Sequence, residues 1–366
     1  MHIDEIKKAV AIQLEDVQKG KYTASDIFKK YTRSRRYIGS KDRRKMSELF
    51  WGVIRSKAHL DFLLPDASFM EKIDLFESKA FLKEEEKLPL WVQCECPSWL
   101  FSHFDTPEEL KAQLEEAPVI LRANGKGEYG NRDALLLELK KKEGLEAEKT
   151  PRSPFGIKLK KRVNLSAVSL YKEGKIEVQD EASQLVCLDL EVKKDETFLD
   201  MCAGAGGKAL FVSSLLGKTG HIAAYDISSR SLEELKRRAL RAKATNITAI
   251  DTLPKNTVFD TVYVDAPCSG TGVWRRNPDS KWNLTPDQFD TLIKTQQELL
   301  QKAIPYVKPH GKLAYITCSL THTENQKQID LFLEKNPNFK KIKEKTYSPL
   351  TTQTDGFFFA LLEKEN

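Results

Sequence analysis

From about Gly174 to the C-terminus, apolar runs of strand length alternate with stretches of helical period, and this alternation restricts the fold more than any other feature of the chain. TFLDM at 197–201 leads into CAGAGGK at 202–208 and an apolar helix to about 216. HIAAYD at 221–226 precedes a helix over 229–242. In that helix Leu232, Leu235 and Leu240 supply the apolar positions. Strands follow at 247–250 and 258–264, then a helix opened by Thr285-Pro-Asp-Gln288 and running to about 306. GKLAYIT, a helix over 324–334 and GFFFALLEK close the chain. Such alternation predicts an α/β fold, a doubly wound, mostly parallel Rossmann-like sheet covered on both faces. Ligands of such sheets sit beyond the carboxyl ends of the strands.

Two further parts are expected upstream, over 1–89 and 90–170, with the large sheet over 171–366. The first is helical. Ile6, Val10, Leu14 and Val17 share one face, and Thr23 with Asp26 caps a second helix. Ser40 opens a third, with Met46, Leu49, Phe50, Val53 and Leu60 on one stripe and Pro65 beyond its end. Between them lies YTRSRRYIGSKDRRK at 31–45, where Arg35, Arg36, Arg43 and Arg44 are flanked by Tyr31 and Tyr37. Cations beside aromatics suit a phosphate backbone with exposed bases. A solvated helix face would have the same composition. The second part is expected to be a small α/β subdomain. PVILRAN at 118–124 reads as a strand carrying Arg122 and Asn124, and 131–144 as a helix with Leu136, Leu137 and Leu139 inward.

Composition adds bounds. Lys and Arg outnumber Asp and Glu by 59 to 53 in 366 residues, a net charge of +6 that permits an anionic partner. No apolar run approaches the roughly 18 residues of a membrane span. The acidic N-terminal segment lacks a signal-peptide core, so a cytoplasmic protein without membrane partners is expected. Six cysteines then read as free thiols, and the Cys94-x-Cys96 pair has no second pair to complete a metal site.

The glycine turn Gly204-x-Gly206-Gly207 has neither dinucleotide nor Walker spacing. Asp200 at the end of its strand would repel a pyrophosphate and suits a cationic ligand such as a sulfonium. Asp226 ends the next strand, where a carboxylate can accept from two ribose hydroxyls. Together they fit S-adenosylmethionine better than NAD. The alternative is that Asp226 only caps the helix at Ser229.

VDAPCSGTG at 264–272 and YITCSL at 315–320 each run a strand into a cysteine. One such thiol reads as a small buried hydrophobe. Two at equivalent strand ends, beside a methyl-donor site, point to covalent catalysis. Carbon 5 of a pyrimidine becomes enamine-like only after a thiolate adds to carbon 6.

The sequence resembles the bacterial Sun (RsmB-like) branch of RNA cytosine-C5 methyltransferases. The resemblance lies in VQDEASQ at 178–184, LDMCAGAGGK at 199–208, YDIS at 225–228, VDAPCSGTGVWRRNPDSKW at 264–282, YITCSLTHTEN at 315–325 and TDGFFFALL at 354–362. PVILRAN is similar to the small RNA-binding subdomain of that family, and 38–64 to part of a NusB-like helical domain. The resemblance implies a class I methyltransferase domain acting as a monomer, without metal, on 16S ribosomal RNA. Transfer RNA, or a non-catalytic role in ribosome assembly, are the alternatives.

It also implies roles. Cys318 would attack carbon 6, Cys268 would assist product release, and Asp265 would hold the base's amino group and ring nitrogen 3. Asp200, Cys202, Ala203, Gly204, Ala205, Gly206, Gly207, Lys208, Asp226, Asp251 and Asp265 would frame S-adenosylmethionine. Arg275, Arg276 and Lys281 would meet RNA phosphate or orient the pocket loop, joining Arg35, Arg36, Arg43, Arg44, Arg122 and Asn124 as RNA-binding residues. Ala205 stands where the family's loop usually carries proline.

Overall fold

Apolar stripes at helical spacing dominate the N-terminal third, and the computed structural model turns them into a helical unit. The structure describes residues 1–82, 85–124, 131–216 and 219–365. It divides into two compact units, Met1–Glu116 with Val273–Phe289, and Ala117–Gly272 with Asp290–Asn366. The first boundary thus falls at 116, and 273–289 belongs with the helices although it follows the DAPCSGTG loop in sequence.

In the first unit Ile6, Val10 and Leu14 of the helix Ile3–Gln18 pack with Met46, Leu49, Phe50 and Val53 of the helix Ser40–Arg55. Ile73 of the helix Phe69–Ser78 joins the same core. The Thr23 side chain accepts from the Asp26 amide at 3.1 Å and starts the helix Ala24–Ser34. The stripe expected to continue through Leu60 is broken at Ser56, and a separate helix Lys57–Leu63 follows. The Glu95 carboxylate accepts the Ala58 amide at 2.7 Å, which satisfies one of the donors freed by that break.

The second unit holds both sheets. In the smaller, β1 (Val119–Ala123), β2 (Ala147–Lys149), β3 (Gly156–Leu159) and β4 (Ile176–Val178) run antiparallel in the order β2-β3-β1-β4. The helix Arg132–Glu143 stops at Gly144, whose φ of +63° suits glycine. It buries Leu135 and Leu139, four residues apart on one face, with Leu136 packed against the same core, whereas Leu137, expected inward, is 58% exposed.

The larger sheet is built from β5 (Thr197–Asp200), β6 (His221–Tyr225), β7 (Ile247–Ile250), β8 (Phe259–Asp265), β9 (Val307–Thr317), β10 (Phe339–Tyr347) and β11 (Phe357–Lys364). Its order is β10-β11-β9-β8-β5-β6-β7. Strands β5 to β9 pair in parallel, and β11 runs antiparallel to both neighbours. The doubly wound, mostly parallel sheet is therefore present. Val262, Val264, Leu313, Tyr315, Phe358 and Ala360 are buried in one core cluster. The helix Ser229–Ala242 buries Leu232, Leu235 and Ala239, whereas Leu240, read as core from the sequence, is 83% exposed. Among the described residues no helix is long and apolar enough to cross a membrane.

Candidate active site

Parallel pairing sets the strand ends in register. Asp200 lies opposite Tyr263, and Asp265 opposite Ile316. Asp200, Asp226, Asp251, Asp265 and Cys318 therefore all emerge at the carboxyl edge of the sheet.

The glycine turn is held from beneath. Gly204 and Gly206 have φ of +51° and +81°, and a Cβ on Gly206 would stand 2.7 Å from Leu235. Asp226 accepts from the Gly204 amide and from the Ser228 amide, each at 2.8 Å. It thus fixes the turn and also leads into the next helix, where Ser228 is the capping residue. Arg238 donates to the Ala205 carbonyl at 2.8 Å, a restraint on the loop at the residue where proline was expected. Asp200 is 1% exposed. It accepts from the Cys202 amide at 3.2 Å and from the Tyr263 hydroxyl at 2.7 Å. Burial pushes its carboxyl up to about 7 against these donors. Its contacts are with the loop, not with an open ligand surface. Burial also raises the Cys202 thiol, which leaves it inert. Asp251 is exposed beyond β7 and accepts from the Thr252 hydroxyl at 3.3 Å.

Lys208 and Asp265 face each other across this edge, with Nζ 2.5 Å from Oδ2. Burial pulls the ammonium down, but the charges of Asp265 and Cys187 outweigh it and hold Lys208 above its ordinary value. Cys268 and Cys318, both half-buried, stand with their sulfurs 3.3 Å apart, well beyond a disulfide bond. The hydrogen bond to Cys318, with burial, holds the Cys268 thiol well above its usual range.

Sequence reasoning missed the group that joins the two cysteine loops. Glu324 is fully buried, and its carboxylate accepts from the Ser269 amide at 2.8 Å, Gln296 Nε2 at 3.0 Å and Thr321 Oγ1 at 2.9 Å. It also accepts from the hydroxyls of Ser269 and Ser319, the residues that follow Cys268 and Cys318. The available signal was an acid among hydroxyl residues in CSLTHTEN. The Gly272 amide donates to the Cys318 carbonyl at 2.9 Å, and Gly356 of the TDG segment donates to the Gly272 carbonyl at 2.7 Å. A Cβ on Gly272 would meet the Gly356 carbonyl at 2.2 Å, so this approach requires glycine.

The residues expected to contact RNA divide sharply. Arg36, Arg43 and Arg44 are exposed on the first unit, and Arg35 stacks on Tyr31 at 3.7 Å. Arg122 is fully buried, so it is not a surface cation. Its guanidinium donates to Asn124 Oδ1 at 2.8 Å, to the Gly207 carbonyl at 3.0 Å and to Gln179, and burial pulls it down to about 10. Asn124 donates to the Gly174 carbonyl at 3.1 Å. The PVILRAN strand thereby braces the glycine turn. Arg275 and Lys281 are each 5% exposed, which takes both away from a solvent-facing phosphate track, and Arg276 is half-buried.

The family model described as 16S rRNA methyltransferase RsmB/F matches residues 187–363. The chain is 31% identical over 316 residues to the ribosomal RNA small subunit methyltransferase B of Pasteurella multocida, covering 78% of this chain and 70% of that relative. This chain belongs to the RsmB/F family. It is 34% identical over 257 residues to the probable ribosomal RNA small subunit methyltransferase B of Bacillus subtilis. That alignment covers 63% of this chain and spans only 57% of the relative's length. The crystal structure of PH0851 shares the fold, with a TM-score of 0.79 over 98% of each chain at 24% identity. The RsmB/F match includes the glycine turn, Asp265, both cysteines and Glu324. Among the described residues no group of His, Cys, Asp and Glu could hold a metal ion.

Proposed function

We propose that the chain is an S-adenosylmethionine-dependent RNA cytosine-C5 methyltransferase acting on small-subunit ribosomal RNA. The observation that carries this reading is the pair of thiols 3.3 Å apart at the carboxyl edge of a parallel sheet, beside the Lys208–Asp265 pair. Membership of the RsmB/F family, and the names of its relatives, support the ribosomal target.

The glycine turn suits the methyl donor. A Cβ built on Gly204 or Gly207 meets nothing within 4 Å, so bare backbone faces open space there. Asp226 retains free lone pairs for ribose hydroxyls beside its two amide donors. When bound, S-adenosylmethionine supplies an electrophilic methyl group and a neutral thioether leaving group.

The chain's own residues perform the rest. Sγ of Cys318, as thiolate, bonds to carbon 6 of cytosine, and the electron pair of the 5,6 double bond shifts toward carbon 5. Lys208, held charged beside Asp265, brings a cation close enough to Cys318 for the two charges to interact. Asp265, fixed by the Lys208 ammonium at 2.5 Å, holds the base's amino group and ring nitrogen 3. After carbon 5 carries the methyl group, its proton passes to solvent water, the electron pair of that carbon–hydrogen bond reforms the 5,6 double bond, and the carbon 6–sulfur bond breaks with its pair leaving on sulfur. Cys268 sits within reach of the departing sulfur and is held as a thiol, able to protonate it.

The test is transfer of a labelled methyl group to total RNA, followed by bisulfite sequencing. Label in 5-methylcytosine of small-subunit ribosomal RNA is the expected result. Label confined to transfer RNA would move the target, and no transfer by the folded protein would overturn the activity.

A further inference from the structure

The first unit contains a cavity of about 410 Å³ for which the chemistry at the sheet edge has no use. Phe76, Phe81, Leu82 and Pro278 contribute apolar lining. His59, Gln113 and Trp274 line it as well, at 3%, 4% and 2% exposure. Yet His59 Nε2, Trp274 Nε1 and both amide heteroatoms of Gln113 have no hydrogen-bond partner among the described residues. Buried polar groups are normally satisfied, so several in one lining need an explanation.

Their chemistry is complementary. His59 Nδ1 lies 2.6 Å from the Glu95 carboxylate. A carboxylate accepts, so Nδ1 donates to it and Nε2 is the ring nitrogen without a partner among the described residues. Glu85 is 4.0 Å from Nε2, beyond hydrogen-bond reach. The walls of the cavity therefore hold an indole donor, an imidazole nitrogen and an amide with both a donor and an acceptor, each buried until a ligand draws it out.

We propose that this cavity takes one nucleobase of the RNA, unstacked from its neighbours, and reads its edge through Gln113, Trp274 and His59. The proposal rests on the RNA substrate proposed above. Proteins recognise single-stranded RNA by packing splayed bases on apolar and aromatic surfaces while hydrogen-bonding their edges. A side-chain amide presents donor and acceptor side by side, the pairing that matches adenine. The volume lies in the range of small-ligand sites.

A path for the phosphates leads to the cavity. Arg55 lines it, and exposed Arg44 lies about three turns, or about 16 Å, earlier on the same face of the helix Ser40–Arg55. Lys79 and Lys281 also line the cavity. The Lys281 amine sits over the rings of Trp274 at 5.5 Å and Trp282 at 5.0 Å, and burial pulls it down to about 8.

The experiment measures binding of short oligoadenylate, oligocytidylate and oligouridylate RNAs to the full chain by fluorescence anisotropy, without methyl donor. Wild type is expected to prefer one of them by about tenfold. Gln113→Leu and Trp274→Phe are expected to abolish that preference while leaving the salt dependence intact. Gln113→Leu removes only unpartnered polar atoms and should leave the unfolding temperature unchanged, whereas Trp274→Phe also loses ring packing against Phe104 and Lys281 and is compared as folded protein. Arg44→Ala should reduce the salt slope and keep the preference. In wild type, the preferred RNA should also slow amide exchange over 110–116 and 273–282, a readout that needs no variant. Wild-type preference in both folded variants, no preference in wild type, or no protection would mean a cavity that holds only water. Equal affinity for the matching free mononucleotide would overturn the RNA source. Because no readout needs methyl transfer, the activity can fail while the pocket stands.

Discussion

Glu324 and the cavity beside Gln113 are both buried and polar, but they are finished to different degrees. The Glu324 carboxylate has five donors from four residues: the Ser269 amide, the hydroxyls of Ser269, Ser319 and Thr321, and Gln296. Among the described residues Gln113 has no partner for either end of its amide. A reaction that must hold two sulfurs in fixed relation gains from donors already in place. A surface that recognises a flexible chain gains from groups whose partners arrive with the ligand. The difference separates a preorganised chemical site from a binding site completed on association.

The most disruptive change on the finished side is Glu324→Ala. It strands five donors in a buried cluster, each costing about 1–3 kcal/mol when left unsatisfied, and should unfold the cysteine loops or the whole unit. Thermal unfolding reads this directly. Glu324→Gln keeps the shape and most acceptor contacts, and should fold yet transfer methyl groups more slowly. An unchanged melting temperature in Glu324→Ala would erase the contrast between the two regions.

Asp200→Asn sharpens it through pH. The folded pKa of Asp200 is raised to about 7 by burial, above the unfolded value near 3.8. Folded protein therefore binds the extra proton across that window, and its stabilising contribution is full below about pH 4 and lost as pH rises through 7. The slope is on the order of 1 kcal/mol per pH unit. Asp200→Asn should flatten the decline in denaturant stability between pH 4 and 7. The same slope in wild type and variant would place the titration elsewhere.

Asp226→Ala removes acceptors from Gly204 and Ser228 as well as from the proposed ribose contact. S-adenosylmethionine affinity should fall about tenfold or more, at about 1.5–3 kcal/mol for each charge-assisted bond. Calorimetry showing unchanged affinity in the folded variant would remove Asp226 from the cofactor site. The smallest effect belongs to the exposed cations of the first unit. Alanine at Arg35, Arg36, Arg43 and Arg44 should lower the log–log salt slope of RNA binding by about 0.7 per lost single-strand phosphate contact. Methyl-donor affinity should stay constant. An unaltered slope would make the cluster a solvated helix face.

Local signals were legible in the sequence where one physical cause dominates. Alternating apolar runs dictated the parallel sheet, and the strand ends at Asp265 and Thr317 put Cys268 and Cys318 at one edge. Periodicity was weaker where several leucines adjoin. Leu137 and Leu240 turned outward because neighbouring positions already filled the core faces. Charges were the hardest to place. Arg122 and Lys281 have the composition of a nucleic-acid surface, but a partner distant in sequence draws the first inside and an aromatic setting the second. Glu324 was invisible for the same reason, since its donors come from Ser269 and Gln296 as well as from nearby hydroxyls.

The most direct test of the central claim assigns different tasks to the two sulfurs that stand 3.3 Å apart. Cys268→Ala, Cys318→Ala and the double variant are each incubated with labelled RNA and S-adenosylmethionine, then resolved on denaturing gels. Cys318 as nucleophile and Cys268 as the releasing thiol require a protein–RNA adduct that accumulates in Cys268→Ala and is absent from the other two. An adduct in Cys318→Ala, or none in a folded, RNA-binding Cys268→Ala, would contradict that division of labour.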